Sequence, residues 1–370
     1  MEIKIEKRFL NEGLNWVQSV VDRKTTKPIL SNVLLEAKGN TLTLSATDLE
    51  VGVIGSWKAE VITLGKITVP ARGFYDIVKE LPNQIIQITA QPNHWIEIKC
   101  AKSHFKLVGM DAAEFPALPK KGEGNEFTLD VKTTLEMLSK VDFAMSTDET
   151  RYNLNGILIE ASASDGKNII RFVATDGHRL SLSERTIDKK LPLNQGVLFP
   201  QKGVTELKRL VDGKEGDIYF WVGDKHAVIN KDEKTLMVSL IDGQFPPYTH
   251  VIPKNHKKVL STPRAELLQS LKRVSVVTND RSRGVKFIVS PGNLEISANN
   301  PDLGEAKEEM VVQYKGSTFS IGFNATYFLD CLSILEDEQV VLQLNDEVSP
   351  CLIQSEFDRG FTHVIMPMRL

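Results

Sequence analysis

Residues 169–176 read Ile-Ile-Arg-Phe-Val-Ala-Thr-Asp, an alternating apolar run that ends in Ala, Thr and Asp. The same pattern occurs at residues 41–48, Thr-Leu-Thr-Leu-Ser-Ala-Thr-Asp, and at residues 293–300, Asn-Leu-Glu-Ile-Ser-Ala-Asn-Asn. The final Asp or Asn residues of the three copies lie 128 and 124 residues apart. This spacing is far longer than a solenoid repeat and close to the size of an ordinary domain. The pattern therefore predicts three repeated domains, each with its own core.

A second pattern follows each copy at a similar distance. It reads Thr-Val-Pro-Ala-Arg-Gly-Phe at residues 68–74, Leu-Phe-Pro-Gln-Lys-Gly-Val at residues 198–204 and Ser-Ile-Gly-Phe-Asn at residues 320–324. Polar segments that start at a proline, residues 119–124 and 253–258, are plausible linkers. We therefore expect the domains to cover residues 1–121, 126–253 and 256–370.

Each repeat begins with apolar residues spaced three and four apart, which is typical of one helix face. These residues are Leu10, Leu14, Val17 and Val21, then Leu135, Leu138 and Val141, then Leu267, Leu271 and Val274. In the third repeat, Ser-Thr-Pro at residues 261–263 predicts a helix cap followed by an early-helix proline. Hairpin turns are expected at residues 39–40, 165–166 and 292–293, and a second helix after each Pro or Gly landmark. Each repeat is thus predicted to be an α+β module, two helices packed on antiparallel sheets.

The composition is that of a soluble globular protein, with 41% apolar and 25% charged residues among 370. The first residues carry charges where a signal peptide needs an apolar core, so we expect a cytoplasmic protein with no membrane partner. Three widely separated cysteines predict buried, reduced thiols and neither disulfides nor metal ligands. A net charge of −3 provides no overall attraction to nucleic acid. No cofactor and no metal are expected.

The segment Thr-Asp-Gly-His-Arg-Leu at residues 175–180 invites a catalytic interpretation, because Asp176 and His178 are acid–base residues. However, the members of a catalytic triad usually come from separate segments. The equivalent residues 47–50 and 299–302 contain no histidine. The segment is therefore predicted to be a turn at the end of a strand, and no catalytic residue is expected. A hydrolase that uses Asp176 and His178 stays open as an alternative.

Several blocks, in order along the whole chain, resemble the bacterial replicative sliding clamps, the beta subunits of DNA polymerase III. They are Lys-Pro-Ile-Leu-Ser-Asn at 27–32, Thr-Asp-Leu-Glu at 47–50, Thr-Val-Pro-Ala-Arg at 68–72, Arg-Tyr-Asn-Leu-Asn-Gly at 151–156, Ala-Thr-Asp-Gly-His-Arg-Leu at 174–180, Ile-Gly-Phe-Asn at 321–324 and Met-Pro-Met-Arg-Leu at 366–370. The resemblance implies three domains of the DNA-clamp type and a head-to-tail dimer closed into a ring, with helices inside and sheets outside. The implied function is that of a processivity factor without catalytic activity.

The resemblance also implies partners. They are double-stranded DNA bound without sequence specificity, a second copy in a homodimer, a clamp loader, the DNA polymerase III catalytic subunit and other proteins with clamp-binding motifs. It places the protein in the cytoplasm, with the bacterial nucleoid. A three-domain scaffold that binds peptides but never DNA stays open as a further alternative.

Three sets of site residues are implied by the resemblance. The partner-peptide groove comprises Leu154, Thr175, Gly177, His178, Arg179, Leu180, Pro246, His250, Val251, Tyr327, Val348, Val364, Met366, Pro367, Met368 and Arg369. The DNA contacts comprise Lys24, Arg151, Tyr152, Asn153 and Lys202. The dimer interface comprises Phe105, Leu107, Val276 and Val277. A solvated surface position for each DNA residue, and an ordinary core position for each interface residue, stay open as alternatives.

Overall fold

The computed structural model describes residues 1–21, 26–122, 125–164, 166–193, 196–279 and 282–369. The helices in these ranges are α1 (Lys7–Val17), α2 (Ala71–Glu80), α3 (Val131–Ser139), α4 (Gln201–Val211), α5 (Arg264–Ser275) and α6 (Ala325–Ile334). The strands are β1 (Glu2–Glu6), β2 (Asn32–Lys38), β3 (Thr41–Thr47), β4 (Val51–Lys58), β5 (Glu60–Thr63), β6 (Gly65–Pro70), β7 (Ile85–Ala90), β8 (Trp95–Cys100), β9 (Ser103–Val108), β10 (Glu126–Asp130), β11 (Gly156–Ser164), β12 (Lys167–Thr175), β13 (Arg179–Ile187), β14 (Val197–Pro200), β15 (Asp217–Val222), β16 (His226–Lys231), β17 (Lys234–Ser239), β18 (Lys258–Pro263), β19 (Gly284–Ser290), β20 (Asn293–Asn300), β21 (Gly304–Val311), β22 (Phe319–Asn324), β23 (Gln339–Leu344), β24 (Cys351–Gln354) and β25 (Phe361–Ile365).

The order of these elements repeats three times along the chain. Starting from β1, β10 and β18, each repeat reads one strand, a helix, four strands, a second helix and three strands, and the first repeat has β5 as an additional short strand. The predicted α+β module of two helices and antiparallel strands is confirmed in each repeat. The domain boundaries at 1–121, 126–253 and 256–370 stay a prediction.

Each of these six helices begins at the residue that follows the end of a strand. Proline is the last strand residue before α2, α4 and α5, with φ of −55° at Pro70 and −57° at Pro263. Proline can end a strand and lead into a helix because it has no N–H and its φ already suits a helical turn. Pro263 therefore ends β18, and the prediction that residues 261–263 form a helix cap with an early-helix proline is wrong. At α6 it is Asn324 that caps the helix, its Oδ1 accepting from Thr326 N at 2.9 Å.

The chain forms two compact units, of which unit 1 comprises residues 1–133 and 202–240. Its sheets have the strand orders β5-β1-β7-β8-β9 and β10-β15-β16-β17-β4-β3-β2-β6. Helix α1 buries Leu10, Leu14 and Val17 completely, as its periodicity predicts. Gly13 permits the helix to approach the sheet closely, since a Cβ there would lie 2.7 Å from Leu44 Cδ1.

Unit 2 comprises residues 134–201 and 241–370. Its sheets have the orders β14-β11-β12-β13-β25-β24-β23-β18 and β21-β20-β19-β22. Helices α5 and α6 pack on each other over a core in which the rings of Phe287, Phe323 and Phe328 lie with their centroids 5.1–5.5 Å apart. In the larger sheet β13 pairs with β25, so strands of the second and third repeats form one surface.

The three cysteines, Cys100, Cys331 and Cys351, are buried and unbridged, as predicted. Burial raises the pKa of the Cys331 and Cys351 thiols, which keeps them protonated and unreactive. Within the described ranges, no helix has the length and apolar character needed to cross a membrane.

Candidate peptide-binding groove

The turn between β12 and β13 is held by its own Thr and Asp side chains. Thr175 Oγ1 donates to Arg179 O and accepts from Gly177 N at 3.1 Å. Asp176 Oδ1 accepts from His178 N at 2.8 Å and from Arg179 N at 3.0 Å. Gly177 has φ +88°, a left-handed conformation that glycine adopts without a steric penalty. The predicted strand-end turn is confirmed, and the Asp176 carboxylate serves it, which does not support the hydrolase alternative.

The first repeat contains the same turn. Thr47 Oγ1 donates to Val51 O at 2.8 Å, and Asp48 Oδ1 accepts from Glu50 N at 3.0 Å and Val51 N at 2.7 Å. Here Leu49 occupies the left-handed position, with φ +80°. The third copy keeps one bond of this type, from Asp302 N to Asn300 Oδ1 at 3.0 Å. The repeated Thr-Asp motif is therefore a structural turn in two repeats. The residue that closes the turn differs, since it is Val51 in the first repeat and Arg179 in the second.

The Arg179 side chain of the second repeat is only 10% exposed. Its guanidinium donates to Asp330 Oδ2 at 2.6 Å, to Asp176 Oδ2 at 3.1 Å and to the Phe143 carbonyl. It also lies over the Tyr327 ring, 4.7 Å from the centroid. Burial, with the nearby Asp176 carboxylate adding to it, raises the pKa of Tyr327, so the phenol stays neutral. Arg179 thus joins the turn to α6, and these contacts hold its guanidinium in place. We call this side chain the polar wall of the candidate groove.

An apolar floor begins at the next residue of β13, Leu180. Leu180 of β13 is paired with Val364 of β25, and Met366 N donates to His178 O at 2.8 Å. Leu180 and Val364 belong to a buried cluster that also contains Tyr248, and Phe245 packs against the margin of this cluster. The C-terminal segment continues along the unit, since Met368 N donates to Gly322 O at 2.9 Å. The structure therefore brings the 175–180 turn, the segment 364–368 and Tyr327 together, as the groove requires.

The remaining predicted groove residues lie around this floor in unit 2. Leu154 is buried at the end of a 3₁₀ helix, Glu149–Leu154. Pro246, His250 and Val251 lie in the segment next to Tyr248 and Phe245. Val348 is 79% exposed in the loop before β24, and Arg369 is exposed at the end of the C-terminal segment. Their common function as a groove stays a prediction. The sequence did not identify Asp330 or Phe143, whose roles depend on contacts with one arginine.

Most of the described residues of the predicted DNA set have partners within the chain. Arg151 contacts Asp148 at 3.1 Å and donates to Asp176 O at 3.0 Å. Asn153 Nδ2 donates to Gln244 O at 3.0 Å, and the Lys202 ammonium forms an ion pair with Asp48. Tyr152 is 58% exposed. Lys24 lies outside the described residues. DNA contact by this set therefore stays a prediction.

The four predicted interface residues lie at accessible positions. Phe105 and Leu107 are on β9, the terminal strand of a sheet in unit 1, where Phe105 is exposed and Leu107 is half-buried. Val276 and Val277 follow α5 in unit 2, and Val276 is 75% exposed. Neither Phe105 nor Val276 is an ordinary core residue, so for these two the core alternative is wrong.

Three domain models of one known protein family match almost all of the chain. Models of the N-terminal, central and C-terminal domains of the DNA polymerase III beta subunit match residues 1–119, 128–247 and 249–369. The beta sliding clamp of Pseudomonas putida is 37% identical over 371 residues, covering 100% of both chains.

Solved structures match the fold as closely. The DNA polymerase sliding clamp of Caulobacter crescentus superposes with a TM-score of 0.96 at 35% identity, covering 100% of both chains. A sliding clamp of Bartonella birtlesii, solved bound to griselimycin, has a TM-score of 0.96 at 34% identity with the same coverage.

Proposed function

Because the chain belongs to the family of DNA polymerase III beta subunits, the sliding clamps, we propose that it tethers a DNA polymerase through the groove of unit 2. The family is non-catalytic, and its function is to confer processivity on a polymerase. The groove would receive a short extended peptide from the polymerase catalytic subunit, and from other proteins that carry clamp-binding motifs. Such sites combine an apolar floor with a few fixed polar groups.

The observation that carries this proposal is the environment of Arg179. A nearly buried guanidinium held by two carboxylates and a carbonyl cannot rotate away, and its residue immediately precedes Leu180, which forms the apolar floor with Val364. A peptide that binds there meets a preformed site and loses little free energy in ordering it. Met366, whose N–H is bonded to His178 O next to the floor, and Met368 further along the segment are flexible and polarizable, which suits a site that accepts several partners.

The probe is griselimycin, to which the solved clamp of Bartonella birtlesii is bound, and we propose that it occupies this groove. We expect calorimetric titration to show binding with one site per chain. We further expect that Arg179→Met weakens binding at least tenfold, about 1.4 kcal/mol, because a fixed wall of the groove is lost. Arg72→Met, at an exposed position in unit 1, is the matched control and should bind as the unaltered chain does. A chain that does not bind griselimycin, or an Arg179→Met variant that binds normally, would contradict the proposal.

The hold on DNA is proposed to be topological, with weak contacts that do not depend on sequence. Weak contact suits a chain of net charge −3 and suits sliding, because strong phosphate binding makes affinity high and very sensitive to salt. Lys24, Arg151, Tyr152, Asn153 and Lys202 are the proposed contacts. Retention on nicked circular duplex after loading, and loss when the circle is cut, is the expected result. Equal retention on linear DNA would refute encirclement.

Closure into a ring is proposed to take place between two copies, head to tail, with a clamp loader opening it. Strand β9 ends one sheet of unit 1 and β21 ends one sheet of unit 2, and exposed strand edges readily pair with another chain. Strand β9 carries Lys106 and no acidic residue, whereas β21 carries Glu305, Glu308 and Glu309 with one lysine, so the net charges of the two edges are opposite in sign. Phe105 and Leu107 would pack near the partner subunit's Val276 and the partner subunit's Val277.

Light scattering across a concentration series tests this arrangement. We expect a mass twice the 41.4 kDa of one chain at low micromolar concentration. Phe105→Asp should shift the equilibrium toward the single chain. A mass of one chain at every concentration would refute the closed ring as the resting state.

A further inference from the structure

The segment 242–252 carries three of the predicted groove residues, Pro246, His250 and Val251, and has little regular structure of its own. It contains two consecutive prolines, which cannot donate backbone hydrogen bonds, and a single 3₁₀ turn, Tyr248–His250. The backbone bonds of this turn, His250 N to Pro247 O and Val251 N to Tyr248 O, are internal to the segment. The backbone alone therefore does not fix this wall against the floor.

Besides the packing of Phe245, Tyr248 and Ile252 on the buried cluster, two side-chain hydrogen bonds, counted over the part of the chain that the structure describes, join this segment to the rest of unit 2. At its start, Asn153 Nδ2 donates to Gln244 O at 3.0 Å. At its centre, the Tyr248 hydroxyl donates to Glu160 Oε1 at 2.5 Å. A hydrogen bond to a carboxylate is stronger than one between neutral groups. Tyr248 is also the residue whose ring lies in the buried cluster beneath the groove.

The Glu160 carboxylate is itself held by a row of charges across three strands. Glu160 on β11 is paired with Arg171 on β12, and Arg171 is paired with Glu184 on β13. Arg171 Nε donates to Glu184 Oε2 at 2.8 Å, and its Nη1 lies 3.7 Å from Glu160 Oε1. Nη1 also donates to Ser162 Oγ at 3.1 Å. The acceptor for Tyr248 is thus fixed to the sheet that bears the groove floor.

We propose that Tyr248 and Asn153, with Glu160 and Arg171 behind Tyr248, are positioning residues for peptide binding. They hold the 242–252 wall at the correct distance from the floor before any partner arrives. If an anchor is lost, the wall occupies its binding position for only part of the time, and the apparent affinity falls by that fraction. Burial raises the pKa of Tyr248, so its hydroxyl remains a donor at neutral pH. The inference rests on the proposed function of the groove.

The test is griselimycin titration of the full chain with Tyr248→Phe, which removes only the hydroxyl. We expect about fivefold weaker binding, the effect of one hydrogen bond. Tyr219→Phe, an exposed tyrosine in unit 1, is the matched control and should bind normally. Glu160→Ala should weaken binding as Tyr248→Phe does, whereas Glu160→Gln keeps an acceptor oxygen and should restore most of the affinity.

A positional effect is separated from a general loss of stability by hydrogen exchange. In Tyr248→Phe the amide of Val251 should exchange faster, whereas the amide of Leu182 in β13 should exchange at an unchanged rate. Unaltered binding by Tyr248→Phe would overturn this inference alone, and so would uniform acceleration of exchange across unit 2. Failure of the unaltered chain to bind griselimycin would overturn the groove itself and this inference with it.

Discussion

Replacement of Arg179 with methionine should destabilise unit 2 by about 3 kcal/mol. Removal of one partner of a buried ion pair costs about 3–5 kcal/mol, because the remaining charge has no compensation. Asp330 is 34% exposed, so water replaces part of what it loses, and we reduce this cost to about 2 kcal/mol. The Phe143 carbonyl also loses its donor, which adds about 1 kcal/mol. Methionine keeps most of the apolar stem, so loss of packing contributes little, although the contact between the guanidinium and the Tyr327 ring is lost as well.

Scanning calorimetry measures this loss as a change in Tm. For a unit of about 200 residues, 3 kcal/mol corresponds to a fall of roughly 6–12 °C. The exposed Arg72→Met variant controls for the removal of a positive charge and should leave Tm within about 2 °C of the unaltered chain.

A double-mutant cycle with Asp330→Asn identifies the source of the effect. Since Asp330 and Arg179 are in direct contact, their substitutions should not be additive, and the coupling energy should be about 1–2 kcal/mol. If Arg179→Met lowers Tm by less than about 2 °C, the argument that this arginine is a buried structural group is refuted. Full additivity would refute the ion pair as the cause.

Acid sensitivity and the fate of a predicted DNA contact provide further tests. Burial lowers the pKa of His363 to about 3, so the unfolded chain binds a proton that the folded chain does not, and stability should fall by about 2 kcal/mol from pH 6.5 to pH 4.5. His363→Phe should flatten this dependence in urea titrations at the two pH values, and an unchanged slope would contradict it. Burial by itself raises the pKa of Asp358, but hydrogen bonds from two basic side chains outweigh it and hold that pKa below its usual value. The contribution of the Asp358 carboxylate to the free energy of unfolding is therefore present at pH 7 and lost as pH falls through the lowered pKa. Asp358→Asn should reduce that free energy by about 2 kcal/mol at pH 7 and by little near pH 2. Lys202→Met should reduce the stability of unit 1 by about 1 kcal/mol and so lower its Tm, because it leaves the nearly buried Asp48 carboxylate unpaired. An unchanged Tm combined with faster loss from circular DNA would instead show that Lys202 contacts DNA.

Features that depend on neighbouring residues could be predicted from the sequence. The alternation within 169–176 predicts a strand because successive side chains point to opposite faces, and the spacing of Leu10, Leu14 and Val17 predicts a buried helix face. The turn at Thr175 and Asp176 could be predicted because its hydrogen bonds join residues two to four apart. Helix starts were less certain, since a proline such as Pro263 suits both a strand end and a first helical turn.

The three repeats, the α+β class, the turns and the family were determined by the sequence itself, because local periodicity and ordered motifs carry that information. The tertiary structure alone decided which side chains surround the proposed groove. Arg179 reaches Asp330 across 151 positions, and Tyr248 reaches Glu160 across 88. It also paired Lys202 with Asp48, 154 positions apart, where the sequence indicated a DNA contact. Such partners are set by strand register and helix packing, and a single charged or polar residue in a sequence carries no record of the distant group that packing brings to it.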